Sequence, residues 1–382
     1  MSTSIARKSP AIRFPWMFGL EHDLFFFFLS ALLGLGVFAI TQSTLSAKSL
    51  ILAALIPTAF GLGPFHQGPT WFMYFDSKNR EYYGSTQKQR WIYFFAPPLI
   101  VLASVLSFVY FKPLVLAVWF VWSIQHLVQQ NVGILLLYHN HRENEAIVER
   151  KHEVLTLQVP AVLFTLLFVR RVLMNNQSNI WFDSLLLALA GYTVFLLIGY
   201  LIRLRKGMSE GKTLNMPAMG FWALSVVSLS PMAVLGRDFG EAAIAPLTWH
   251  WFQYIGLNWK LMRKKYVAND SLETDKNSSA ATTTTAATED KRLESCSANL
   301  PGSSPLALFL IVCFSLVVIN IGLSVWSRVP GLNDHFKDAL LGLLIGLVNA
   351  HYFVDAFVWR FREPFQRTTI LPYLKDSRPQ SS

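Results

Sequence analysis

Charge is scarce in this chain. Only 15% of its 382 residues are charged while 53% are hydrophobic, against about 25% charged in a typical soluble domain. That balance excludes an ordinary soluble fold and points to a protein that crosses a membrane many times. Cysteine is nearly absent too. Cys296 lies in a polar stretch and Cys313 in an apolar one, so neither a disulfide framework nor a thiolate metal spacing exists. The lack of thiolates weighs against an iron–sulfur cluster and against structural zinc. Several catalytic signatures are missing: no GxxxxGK[ST] loop, no paired GxGxxG on a strand, no GxSxG elbow. The clustered HxxxH and HxxHH motifs of membrane desaturases are missing as well, and His139 with His141 has the wrong spacing.

What is there is apolar length. Thirty Phe and twelve Trp suit lipid-facing surfaces and interfacial belts. Stretches long enough to span a bilayer recur at 24–41, 50–75, 92–111, 114–138, 155–173, 181–202, 216–236, 241–262, 304–327 and 337–359. Pro57 and the Gly61–Pro64 patch interrupt the second, and Pro113 separates the third from the fourth. The fold class expected is all-α, a polytopic transmembrane helix bundle of about ten helices with both termini cytoplasmic.

Basic residues orient it. Lys78, Arg80, Lys88 and Arg90 fall on one side, as do Arg142, Arg150 and Lys151; Arg203, Arg205, Lys206 and Lys212; Arg263, Lys264 and Lys265; and Arg360 and Arg362. The alternate loops hold only Lys48, Lys112, Arg170, Arg171, Arg237 and Arg328. Positive charge gathers on the cytoplasmic side, so the net charge of +10 needs no nucleic acid to explain it, and no RNA- or DNA-binding motif accompanies it. Arg7, Lys8, Arg13 and Pro15 precede an apolar run without a small-residue cleavage site, which reads as a retained signal-anchor helix. The location implied is the inner, cytoplasmic membrane.

Residues 266–303 are polar, low in complexity and free of aromatics beyond Tyr266, and cannot build a core. They read as a cytoplasmic linker. It joins an eight-helix region, 1–265, to a final pair of helices and a tail, 304–382.

Four histidines then stand out, one to a helix: His66, His126, His250 and His351. Their helices, the second, fourth, eighth and tenth, run from outside to inside. At about 1.5 Å per residue each imidazole lies roughly 13–20 Å from its cytoplasmic helix end, so the four are expected in one layer. Each has polar company at helical spacing. Gln129 and Gln130 follow His126, Gln253 and Tyr254 follow His250, and Asp355 follows His351 by four. Gln67 adjoins His66, and Asp76 lies near the end of its helix. Ionisable side chains at membrane depth are costly and usually functional, and carboxylates and amides beside imidazoles suit a metal site. His66, His126, His250, His351 and Asp355 are therefore the candidate metal ligands, with Gln130 and Tyr254 as candidate catalytic residues. Iron, zinc, copper and manganese all accept imidazole with carboxylate; chemical analogy with dioxygen-activating centres favours non-haem iron, with another transition metal open.

Blander readings exist for each residue. A lone intramembrane histidine is often a hydrogen-bonded packing residue, and Asp355 could pair with Arg360 or Arg362 at the interface. His139, His141 and His152 surround a charged loop and suit a solvated face, while His335 suits the outer interface. Asp23, beside His22, can serve the helix dipole, although both could fold over the site. Trp71, Trp91, Trp259 and Trp359 suit an interfacial belt.

The stretches WSIQHLVQQNVGILLLYHN and NAHYFVDAFVWRFR resemble two hallmarks, HFxRQxxGxxxLY-like and HYxxDxxxWR, of an uncharacterised group of bacterial polytopic membrane proteins. DLFFFF, GPFHQGPTWFMYFD and WHWFQYIGLNWK match the same group more loosely. The resemblance covers most of the helical chain but not the linker. It marks His66, His126, Gln130, His250, His351 and Asp355, and departs at Gln129, where the group often has a basic residue. It implies residues rather than an activity. A fainter similarity, in architecture alone, is to the membrane β-carotene-cleaving oxygenases, which bind iron through histidines scattered over helices.

The expected function is a metal-dependent membrane oxidoreductase acting on a lipophilic substrate that enters from the bilayer, such as a carotenoid, another isoprenoid or a fatty acyl chain. Haem ligated by two of the histidines and a transporter relaying protons through His and Asp are the alternatives.

Overall fold

A computed structural model describes residues 12–43, 61–139, 149–267 and 304–374, and nearly all of these are helical. In chain order the helices are α1 (Leu20–Gln42), α2 (61–72), α3 (Ser77–Gly84), α4 (Gln87–His139), α5 (Arg150–Leu173) and α6 (Ile180–Ser209). They continue with α7 (Met216–Val227), α8 (Ser230–Val234), α9 (Phe239–Met262), α10 (Pro305–Trp326) and α11 (Asp334–Val358), then the short α12 (Pro364–Thr369) and α13 (Leu371–Leu374). The strand content among the described residues is one parallel pairing of β1 (Ile12–Arg13) with β2 (Leu214–Asn215).

Six of these helices are long and apolar enough to cross a membrane: α1, α4, α5, α6, α10 and α11. At 53 residues α4 would run about 80 Å if straight, far more than a hydrocarbon core of about 30 Å. Its backbone leaves helical geometry at Phe111 (φ −138°, ψ 44°), two residues before Pro113. A proline disfavours helical geometry just upstream and lacks the N–H its turn requires. The break lies between the two spans expected at 92–111 and 114–138.

The stretch 216–236 departs from expectation. It forms the twelve-residue α7 and, after a turn at Ser228 and Leu229, the five-residue α8. Pro231 starts the new helix near its first turn, where a missing N–H costs nothing. Twelve residues rise only about 18 Å, too short to cross. The first part of the span expected at 50–75 and most of the linker, 268–303, lie outside the described residues.

The chain divides into two compact units. One comprises Met1–Ile56 with Ile124–Gln253, and the other Pro57–Ser123 with Tyr254–Ser382. The divisions fall inside α4, after Ser123, and inside α9, after Gln253.

In the first unit, buried polar groups tie helices together. Asp23 accepts the backbone N–H groups of Met17 and Phe18 and the Tyr138 hydroxyl, so its carboxylate closes the chain entering α1. Asn215 donates to the Tyr138 carbonyl. His139 pairs with Glu153 at 2.9 Å, and buried His152 lies 3.0 Å from the Leu196 carbonyl through Nε2. The solvated face expected of His139 and His152 is therefore not found: a charged sequence neighbourhood folds inward because its charges have partners. His141 lies outside the described residues.

In the second unit, glycines set the approach of α11. A Cβ on Gly342 would lie 2.8 Å from the Val105 Cα, and one on Gly346 2.9 Å from the Val101 Cα, so only glycine allows this spacing against α4. On α2, Gly68 packs in the same way against Cys313 of α10. Beyond α2, Asp76 caps α3 by accepting the N–H groups of Lys78 and Asn79. It also receives the Lys265 ammonium at 2.7 Å and the Tyr266 hydroxyl at 2.8 Å, with Asp76 and Lys265 both buried. Burial alone would raise the Asp76 carboxyl, but the Lys265 charge and hydrogen bond, helped by Tyr266 and the Asn79 amide, hold it below its ordinary value.

A carboxyl depressed on folding stabilises the protein above its unfolded value, about 3.9, and that stability is lost as pH falls through the lower folded value. The acid limb of a stability profile, measured by thermal melting in detergent, should therefore flatten in Asp76→Asn, which keeps a capping side chain. Lys265→Met, which leaves the buried carboxylate without its cation, should cost about 3–5 kcal/mol at neutral pH. An unchanged acid limb in Asp76→Asn would contradict this role for the carboxylate.

Candidate metal-ligand sets

In the second unit α2, α9 and α11 bring five polar side chains together, all buried: His66, Thr70, Tyr254, His351 and Asp355. His66 and Thr70 lie one turn apart on α2, as do His351 and Asp355 on α11, so each pair shares a helix face. The two imidazoles meet edge to face with ring centroids 4.8 Å apart. Tyr254 stands edge-on to both, at 5.8 Å from His66 and 5.4 Å from His351.

Proton positions are set by the atoms that can only accept. The Gly63 carbonyl takes a hydrogen bond from His66 Nδ1, which places the proton on Nδ1 and leaves Nε2 with its lone pair. Thr70 Oγ1 lies 2.6 Å from Asp355 Oδ1 and 2.8 Å from His351 Nδ1. With Asp355 as a carboxylate, the single Thr70 proton goes to Oδ1. Thr70 must then accept from His351 Nδ1–H, and His351 too is left with a lone pair on Nε2. The Tyr254 hydroxyl also donates to Asp355 Oδ1, at 2.8 Å, and receives the Trp359 indole N–H at 3.3 Å. Both donors therefore fall on Oδ1, while Oδ2 lies 3.7 Å from His351 Nε2. Ligand atoms of His66 and His351 come within 4.8 Å of each other.

In the first unit α4 and α9 bring together His126 with Gln130 and His250 with Gln253. The imidazoles meet edge to face at 4.9 Å between centroids. Gln130 Nε2 donates to the His250 carbonyl at 3.2 Å and to Gln253 Oε1 at 2.8 Å, so this amide spans from α4 to α9.

All seven residues expected to form the site thus fall into two sets. His66, Tyr254, His351 and Asp355 belong to one, and His126, Gln130 and His250 to the other. No family model matches this chain, and no curated protein or solved structure matches it either. The roles of these residues rest on their geometry alone.

Some details differ from expectation. Asp76 serves the capped, Lys265-paired cluster beyond α2. Asp355 bonds Thr70 and Tyr254, while Arg360 donates to the Ala356 carbonyl and lies over the Phe357 ring. Trp359, expected in an interfacial belt, holds the Tyr254 hydroxyl. His22 packs against the rings of Phe18, Phe26 and Phe27. Thr70 is absent from the expected set, although its place four residues after His66 is a readable signal.

Thr70→Val keeps the shape of the side chain but removes the hydroxyl that joins Asp355 and His351. We expect it to cost about 1–3 kcal/mol in stability, with Thr70→Ser restoring most of the loss. Equal thermal stability of Thr70→Val and wild type in detergent would remove this bridging role.

Proposed function

We propose that this chain is a membrane-embedded, non-haem iron oxidoreductase or oxygenase, located in the cytoplasmic membrane, whose substrate is a lipophilic molecule such as a carotenoid, another isoprenoid or a fatty acyl chain. The observation that carries the reading is the set in the second unit. His66 and His351, each engaged through Nδ1, meet edge to face, and Asp355 Oδ2 lies 3.7 Å from His351 Nε2; two imidazoles and a carboxylate are the donor types that non-haem iron oxygenases use. When bound there, iron would supply the means of activating dioxygen for attack on an unreactive hydrocarbon. His126 and His250 are proposed as ligands in the first unit.

The protein's own part in that chemistry is to hold donors still and to keep water away. The Gly63 carbonyl and Thr70 fix both tautomers in the second unit, and such partners also raise the basicity of the coordinating nitrogen. Tyr254, with Trp359 behind it, holds the Asp355 carboxylate by one oxygen. Thiolates are absent from both sets, and hard or borderline N and O donors suit iron or manganese better than copper(I). An apolar bundle admits a hydrocarbon substrate directly from the bilayer.

A proton-coupled transporter is the second reading. It draws on the hydrogen-bonded chain Asp355, Thr70, His351. A haem fits less well, since axial imidazoles stand on opposite faces of a flat macrocycle, whereas each pair within a unit meets edge to face below 5 Å.

Elemental analysis and an absorption spectrum of one detergent-purified sample separate these readings. We expect iron to co-purify in a fixed ratio to protein, to fall at least tenfold in His351→Ala, and to give no strong Soret band. One equivalent or two per chain reports whether one set or both hold an ion. A well-folded, metal-free wild type would sink the proposal, and proton uptake into proteoliposomes by that same material would support the transporter.

A further inference from the structure

Gln253 is fully buried on α9, and the two ends of its amide are differently treated. The orientation of Gln130 is fixed because the His250 carbonyl can only accept, so the atom facing it must be the donor Nε2. The same nitrogen donates to Gln253, which requires the oxygen of Gln253 to face Gln130. The Gln253 NH2 group is therefore turned away from Gln130. It has no hydrogen-bond partner among the described residues.

A buried donor without a partner is rare enough to need an explanation, and a ligand that completes it is one. Gln253 follows His250 by three residues and Gln130 follows His126 by four, so all four side chains occupy the mutually facing sides of α4 and α9. The only group that satisfies an N–H is an atom bearing a lone pair. An apolar substrate chain cannot do so, whereas a small anion or the terminal atom of a small metal-bound ligand can.

We propose that Gln253 is the hydrogen-bond donor to a small, lone-pair-bearing ligand held at the His126–His250 pair, and that Gln130 is a positioning residue acting through Gln253. This rests on the proposed metal centre and goes beyond it, since it gives the pair a ligand-binding role and divides the two glutamines between contact and support.

Azide is the probe, titrated into the iron-loaded, oxidised protein and followed through its charge-transfer absorption, with iron content measured on each sample. Gln253→Leu should retain iron but bind azide roughly three- to tenfold more weakly, the worth of one hydrogen bond. Gln253→Glu keeps the shape but replaces the donor with a carboxylate, and should weaken azide at least as much. Gln130→Leu should cause a smaller loss with iron unchanged. Unchanged azide affinity in Gln253→Glu, or an iron-loaded wild type that binds no azide, overturns the assignment while leaving the metal reading intact. A wild type that retains no iron overturns that reading itself. Should Gln253→Leu fail to fold, the isosteric Gln253→Glu decides alone.

Discussion

A carboxylate among apolar helices must be hydrogen-bonded, and the second unit is organised around meeting that demand for Asp355. Water at such a depth is scarce, and an unsatisfied charge costs several kcal/mol or more. Thr70 and Tyr254 both give their protons to Oδ1. Once Thr70 has done so, it has only lone pairs left to offer His351, and the imidazole has no choice of tautomer. The electronic state of the second histidine is thus a consequence of satisfying the acid four residues away. The helices that carry these groups are themselves seated through glycine: Gly68 of α2 against Cys313 of α10, and Gly342 and Gly346 of α11 against the first half of α4.

The two ligand sets reach order by different chemistry. In the second unit, hydroxyls and a carboxylate form a branched network centred on Asp355 Oδ1. In the first, the organising groups are carboxamides, which neither gain nor lose protons near neutral pH. Gln130 spans two helices with a single nitrogen, and the result is a fixed direction for Gln253.

Much of this is legible from residue types, and the omissions have physical reasons. Histidine and aspartate are expensive in apolar helices, so His66, His126, His250, His351 and Asp355 announce themselves. Threonine is cheap there, because its hydroxyl can bond back to its own helix, and Thr70 carries no such warning. The charged run around His139 and His152 suggests solvent, but pairing with Glu153 and the Leu196 carbonyl is a tertiary property that composition does not encode. Pro113 announces an interruption, whereas Pro231 lies inside the stretch 216–236 that is expected to span unbroken. Whether the helix resumes after a kink, as α4 does, or stops, as α7 does, depends on tertiary packing around the break, and local sequence distinguishes the two poorly. Trp359 is readable as an interfacial aromatic, yet its indole N–H is spent on Tyr254.

Cys313, the single cysteine among the described residues, packs away from the candidate ligands. It is buried in an apolar cluster with Phe72, Met262, Tyr266 and Phe309, and its side chain lies against Gly68, two residues after His66 and two before Thr70. Residues two apart on a helix point in different directions, so the thiol packs on the side of α2 away from the histidine and threonine. A larger residue at 68 would push α10 outward and loosen the helix that carries both His66 and Thr70. The thiol's contribution is volume: with Gly68 it sets the distance of α10 from α2.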